Sequence, residues 1–215
     1  MAIPFTVEQF HGVFEDYNSA VWPSLLVAMA LLVLAAVLRP RPWSGVGVSA
    51  VHGFLWVWIA VAYHLAFFAR INPAAYAFAA LSMFGAAVFI WQGVIRRRLD
   101  FQWVPGPKAT AGASVIVFAL VVYPVWSALA GHPYPQTPTF GLPCPTTIFT
   151  IGAAMCFAVP PTPRSPLIVP LLWYLVGAQA AFLLGVQPDL GLVAAAVVGV
   201  ALLATAGRQL RTQKP

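Results

Sequence analysis

Residues 74–98, AAYAFAALSMFGAAVFIWQGVIRRR, decide the fold. An apolar run, Ala74–Ile95, ends against three consecutive arginines, Arg96, Arg97 and Arg98. About 20 apolar residues, each rising about 1.5 Å, cover the roughly 30 Å hydrocarbon core of a bilayer, so the run reads as a membrane-crossing helix. Loops on the cytoplasmic side carry the excess of Lys and Arg, which places the arginine end inside.

Outward from this helix the same pattern recurs. Further apolar runs are Ala20–Leu38, Val46–Ala69, Ala113–Ala130, Thr146–Val159, Leu167–Leu184 and Leu190–Ala206. Arg39 and Arg41 follow the first of the seven, Lys108 shares the loop of Arg96–Arg98, Arg164 follows the fifth, and Arg208, Arg211 and Lys214 follow the last. Of 11 Lys and Arg residues only Arg70 falls in the other set of loops. The expected fold is therefore all-α: a polytopic bundle of seven transmembrane helices, N-terminus outside and C-terminus cytoplasmic. Its parts are a periplasmic-face amphipathic helix (1–18), the seven-helix domain (19–207) and a basic cytoplasmic tail (208–215).

Composition agrees. The chain has 215 residues, 61% hydrophobic and 7% charged, with a mean hydropathy of +0.86, which leaves nothing over for a soluble domain. The net charge of +6 would suggest nucleic acid in a soluble protein; here it lies at membrane edges, facing anionic headgroups, and no nucleic-acid partner is expected. Residues 1–18 contain no Lys or Arg, so the n-region of a cleavable signal peptide is missing and the first apolar run is expected to be retained. Cys144 and Cys156 are too far apart along a helix to bridge, and no CxxC or Cys/His cluster of zinc spacing exists.

Local signals add detail. Thr6 and Gln9 form a capping box for a helix over Thr6–Tyr17 whose Phe10, Phe14 and Tyr17 share one face, as in an interfacial anchor or lid. Trp22-Pro23 and Asn72-Pro73-Ala74 put proline at helix starts, and Tyr123-Pro124 should kink the fourth span. Residues 131–145, GHPYPQTPTFGLPCP, carry five prolines and no formal charge, so this loop is expected in the bundle mouth or partly re-entrant. The span that follows reaches Pro160-Pro161 after few residues; such short or interrupted segments mark binding sites in transporters, or simply a thin, tilted helix. Asp189 after Pro188 reads as an N-cap, and Ala195 with Gly199 as a close helix contact.

The segments EDYNSAVWP (15–23), AYHLAFFARINPAAYAF (62–78), GHPYPQTPTFGLPCPTTIFTIG (131–152) and FLLGVQPDLGL (182–192) resemble a family of bacterial integral membrane proteins of unknown function. The shared pattern runs YNxAVWP, YHxxFFxxINPAA and PTFGxPCPTTIFT, and the resemblance covers nearly the whole chain. It implies a multi-pass protein of the bacterial inner membrane, and it implies no substrate.

Residues suited to binding concentrate on the outer side, where four helices would start and expose their amides. Candidates are Tyr63, His64, Arg70, Asn72, His132, Cys144, Thr146 and Thr147. Together they suit a small anion or a polar solute in an outward-facing pocket, a permease-like role without catalytic residues or a cofactor. In the structural alternative Arg70 pairs with Glu8, Glu15, Asp16 or Asp189 and His64 bonds a carbonyl. A metal or haem site would draw on His64, His132 and Cys144, though the chain has only four histidines and no helical HxxxH. Asn72-Pro73-Ala74 matches one of the two motifs a water channel needs, and no second copy exists. An accessory or scaffold subunit, in a homo-oligomer or larger membrane complex, is the remaining class. The sparse polar interior (Ser24, Ser114, Ser127, Gln179, Thr205) argues against a proton-coupled pump.

Overall fold

The computed structural model describes residues 4–157 and 163–212. Among them the chain is all helix and connection. Thr6 caps α1 (Val7–Ala20): its Oγ1 accepts from the Gln9 amide at 3.1 Å, while Gln9 Oε1 accepts from the Thr6 amide at 2.8 Å. Only Val21 and Trp22 separate α1 from α2 (Pro23–Leu38), which starts on proline as expected. Then come α3 (Ser44–Arg70), α4 (Ala75–Ile95), α5 (Pro107–Leu129), α6 (Pro143–Phe157), α7 (Ser165–Leu183) and α8 (Leu190–Thr212).

Four of these, α3, α4, α5 and α7, are long and apolar enough to cross a membrane. Among the described residues the further apolar stretches are Leu26–Leu38 and Gln187–Ala201, so length supports four of the seven expected spans. Their outward faces carry Leu31, Leu32, Phe84, Val121, Leu175 and Val197, a belt far too apolar for water. The boundaries also move. α5 begins at Pro107, so Lys108 sits in its first turn, and α6 begins at Pro143, which draws Cys144 into the helix. Residues 158–162, with the Pro160-Pro161 stop, lie outside the described residues.

Helix α6 is the hub. It packs most closely on α5 and also against α7 and α8, while α3 joins α2 to α4 and α4 reaches α7. Ile148, Phe149, Ile151, Ala153 and Met155 are buried around its whole circumference, as is expected of a helix hydrophobic on every side. Three helices contain wide π turns: Ile59–Leu65 in α3, Ile90–Ile95 in α4 and Phe118–Val122 in α5. The last precedes Tyr123-Pro124, where the proline ring and missing N–H disrupt the regular ladder. π turns often mark functional positions, and the α3 turn carries Tyr63 and His64.

Helix polarity sorts the charges. Arg39 follows the end of α2, Arg96–Arg98 the end of α4, Lys108 opens α5 and Arg164 precedes α7, so these basic residues gather at one end of the bundle. The opposite end holds α1, the α5–α6 connection and the turn at Gly185 (φ +71°), where a left-handed backbone carries the chain from α7 towards α8.

Candidate functional site

At that opposite end, α1 and the 131–142 connection are pinned together by one buried side chain. Asn18 donates from Nδ2 to the carbonyls of Pro135 (2.6 Å) and Thr137 (2.7 Å), and its Oδ1 accepts from Thr139 Oγ1 (2.6 Å). The Asn18 carbonyl accepts from the Tyr134 hydroxyl at 3.0 Å, and Gln136 reaches Glu15. The connection also bonds to the helices beneath it: Thr137 Oγ1 donates to the Pro124 carbonyl, and the Gly141 amide donates to Thr146 Oγ1 at 3.0 Å. Gly141 has φ +103°, and a Cβ there would overlap Leu26, so only glycine fits. The proline-rich loop is thus folded onto the bundle, as its lack of charge suggested.

Below lies a cavity of about 220 Å³. Phe5, Phe10 and Phe14 roof it from the α1 side; Tyr63 and Phe68 come from α3, Asn72 from the α3–α4 connection, Phe78 from the start of α4, Cys144 from α6, and Trp173 and Gln179 from α7. Tyr123 and Asp189 also line it. Asp189 is only 1% exposed, and its Oδ1 accepts from the Tyr123 hydroxyl at 2.5 Å. The Cys144 thiol lies against the same carboxylate and near the Trp173 indole, whose Nε1 lacks a hydrogen-bond partner.

The sequence candidates divide around this space. Tyr63, Asn72 and Cys144 line it. His64 stands behind the wall, fully buried, 5.1 Å from the Trp173 ring and 5.7 Å from Phe78, with neither nitrogen partnered. Thr146 and Thr147 are buried in α6 below it, Thr146 spent on Gly141 and Thr147 Oγ1 without a partner. Arg70 is exposed and lays its guanidinium 4.9 Å from the centre of the Phe67 ring, on neither the cavity nor a carboxylate. His132 stacks on His11 at 3.7 Å and 9° in the contact between the loop and α1. His64, His132 and Cys144 do not meet, and the described residues contain no group of three or more His, Cys, Asp or Glu that could hold a metal ion.

His11 is the titratable group of the lid. Burial first, and then the His132 ring, lower its pKa from 6.5 to about 4; the Leu184 and Gln136 carbonyls nearby make no hydrogen bond of good geometry to it. Tyr17, which accepts from Trp58 Nε1 at 2.7 Å, is pushed up by burial to about 12 and stays a neutral anchor of α1.

Sequence reasoning missed Asn18, Tyr123, Trp173 and Asp189. Asp189 directly precedes α8, where the sequence reads it as an N-cap, and its buried carboxylate accepts from Tyr123. The available signal was Tyr123-Pro124 together with Pro188-Asp189, two proline-marked polar residues in apolar surroundings. Their pairing spans 66 residues and no local pattern encodes it.

The profile of a family of unknown function (DUF6064) matches residues 7–214, and the chain belongs to that family. No curated protein and no solved structure matches the chain.

Proposed function

We propose that this DUF6064 member is a multi-pass inner-membrane protein that binds a small solute in an outward-facing cavity, as the outer site of a permease does. One observation carries this reading: a cavity of about 220 Å³ is roofed by a helix held down through Asn18 and backed by a buried polar cluster at Asp189. Ligand sites are commonly apolar with a few convergent polar groups, which describes this lining. The basic residues gather at the far end of the bundle, which by the positive-inside rule supports an outward cavity and a cytoplasmic C-terminus. Seven crossings follow if α8 spans over its 23 residues and the shorter α2 and α6 span in locally thinned lipid.

The test is thermal unfolding of the purified protein against a panel of small anions, neutral polar metabolites and amines. A ligand of the folded state at 100 times its Kd adds about 2.7 kcal/mol of stability. Ala180 lines the cavity, so Ala180→Trp should fill it and remove the response while the protein remains folded. A panel without any stabilising member would instead support the scaffold role. Orientation is tested separately: reporters fused after Lys108 and at the C-terminus should both read cytoplasmic, and opposite readings would refute the topology.

A further inference from the structure

We infer that the cavity selects a small organic cation, a primary amine or quaternary ammonium held between the Asp189 carboxylate and an aromatic wall. The inference rests on reading the cavity as a ligand site and adds the charge and size of what enters it.

The charge follows from an imbalance. Asp189 is 1% exposed, and the two donors on its carboxylate, the Tyr123 hydroxyl and the Cys144 thiol, are both neutral. No Lys, Arg or His lines the cavity among the described residues. An ionised carboxylate out of water needs a countercharge or takes up a proton; burial pushes the Asp189 carboxyl up to about 7, so near neutral pH a countercharge decides whether it stays ionised. The protein supplies none here, and the adjoining space is where one would come from.

The walls favour the same sign. Phe10, Phe14, Tyr63, Phe68, Phe78 and Trp173 surround the space. Aromatic faces carry the negative end of the ring quadrupole and attract ammonium groups, most strongly where water is excluded. The same surfaces, with a carboxylate behind them, repel an anion. This reverses the small-anion expectation, which depended on Arg70 and the α6 amides; Arg70 lies outside the lining, and Thr146 and Thr147 lie below it.

Size limits the class. An apolar cavity of about 150 Å³ holds benzene, so about 220 Å³ admits a ring plus a short aminomethyl arm. Amino acids and other zwitterions would bring a carboxylate for which this lining has no cationic partner. Asn72 and Gln179 supply neutral polar contacts on the lining.

The test is a charge series of one shape: benzylamine, benzyl alcohol and benzoate, titrated calorimetrically at neutral pH into the full-length protein in nanodiscs. Benzylamine, protonated under these conditions, is expected to bind roughly tenfold or more tightly than benzyl alcohol, a difference of about 1.4 kcal/mol, with no detectable binding of benzoate. Asp189→Asn should reduce the amine to the affinity of the alcohol, and Ala180→Trp should remove both, separating site binding from partition into lipid. Equal affinity for amine and alcohol, or tighter binding of benzoate, would overturn the cation inference while leaving solute binding intact. No binding of any of the three would also overturn it, and the solute-binding reading would then stand or fall on the wider panel. Should Asp189→Asn fail to fold, the series on the unaltered protein still decides.

Discussion

Helix α3 buries one histidine near each end, and the two are treated differently. His52, at the basic end, donates from Nδ1 to the Val48 carbonyl at 2.8 Å and stacks among Phe89, Phe101 and Phe149. Its surroundings are tight: a Cβ on Gly53 would come within 2.6 Å of Ile90 Cδ1, and one on Gly85 within 3.0 Å of Val169. His64, near the other end, has no partner for either nitrogen and abuts the rings that line an open cavity. The first is a satisfied core residue, and the second sits where packing was relaxed. The contrast teaches that burial of a histidine carries no functional message by itself; unsatisfied polar atoms beside unfilled space do.

The largest expected effect breaks the outer end apart. Asn18→Ala removes three side-chain hydrogen bonds and leaves the Pro135 and Thr137 carbonyls without that donor. We expect a loss of about 3 kcal/mol in reversible unfolding. Cys144 should become more reactive to a water-soluble maleimide as α1 and the loop separate. Unchanged labelling would mean that α1 is held by its aromatic face alone.

The paired histidines should respond with opposite signs. His52→Leu discards a buried hydrogen bond within a close-packed stack and should cost about 1–2 kcal/mol. His64→Phe replaces two unpartnered nitrogens with carbon among rings and should stabilise by roughly 1 kcal/mol. Thermal unfolding of both variants measures the difference, and an equal loss in the two would erase the distinction between the ends.

The smallest effect is pH-dependent and confined to the lid. His11 has its folded pKa lowered to about 4 from 6.5, so the folded form binds fewer protons than the unfolded form between those values. Its contribution is fully present above pH 6.5 and is lost as pH falls towards 4. Protection of the α1 amides against hydrogen exchange, taken relative to the intrinsic rate at each pH, should therefore fall over that window, and His11→Phe should flatten the response. Loss of protection only above neutral pH would assign it to another group.

Much of the fold was legible because its signals are local. The Thr6–Gln9 box, the Phe10/Phe14/Tyr17 face, proline at the start of α2 and the disturbance before Pro124 all involve residues within about two helical turns. Side-of-membrane assignment also led to Tyr63, Asn72 and Cys144, since helix polarity alone brings such residues to one end. It could not tell Tyr63, which faces the cavity, from Arg70, which turns out onto Phe67. Helix-end residues separated by one or two turns can face opposite ways, and irregular turns such as Ile59–Leu65 shift the periodicity a reader would count on.

By itself the sequence determined an all-helical chain with apolar, membrane-length segments and its basic residues gathered at one end, because apolar run length and charge position are one-dimensional quantities. Only the tertiary structure decided that α6 is wrapped by its neighbours, that Asn18 fastens the lid, and that Tyr123 meets Asp189 beside an aromatic space. Those contacts join residues 66 to 119 positions apart, and their formation depends on how helices of nearly uniform apolarity pack. Such packing is set by side-chain shape and by the few polar groups that must find partners, and hydropathy carries neither.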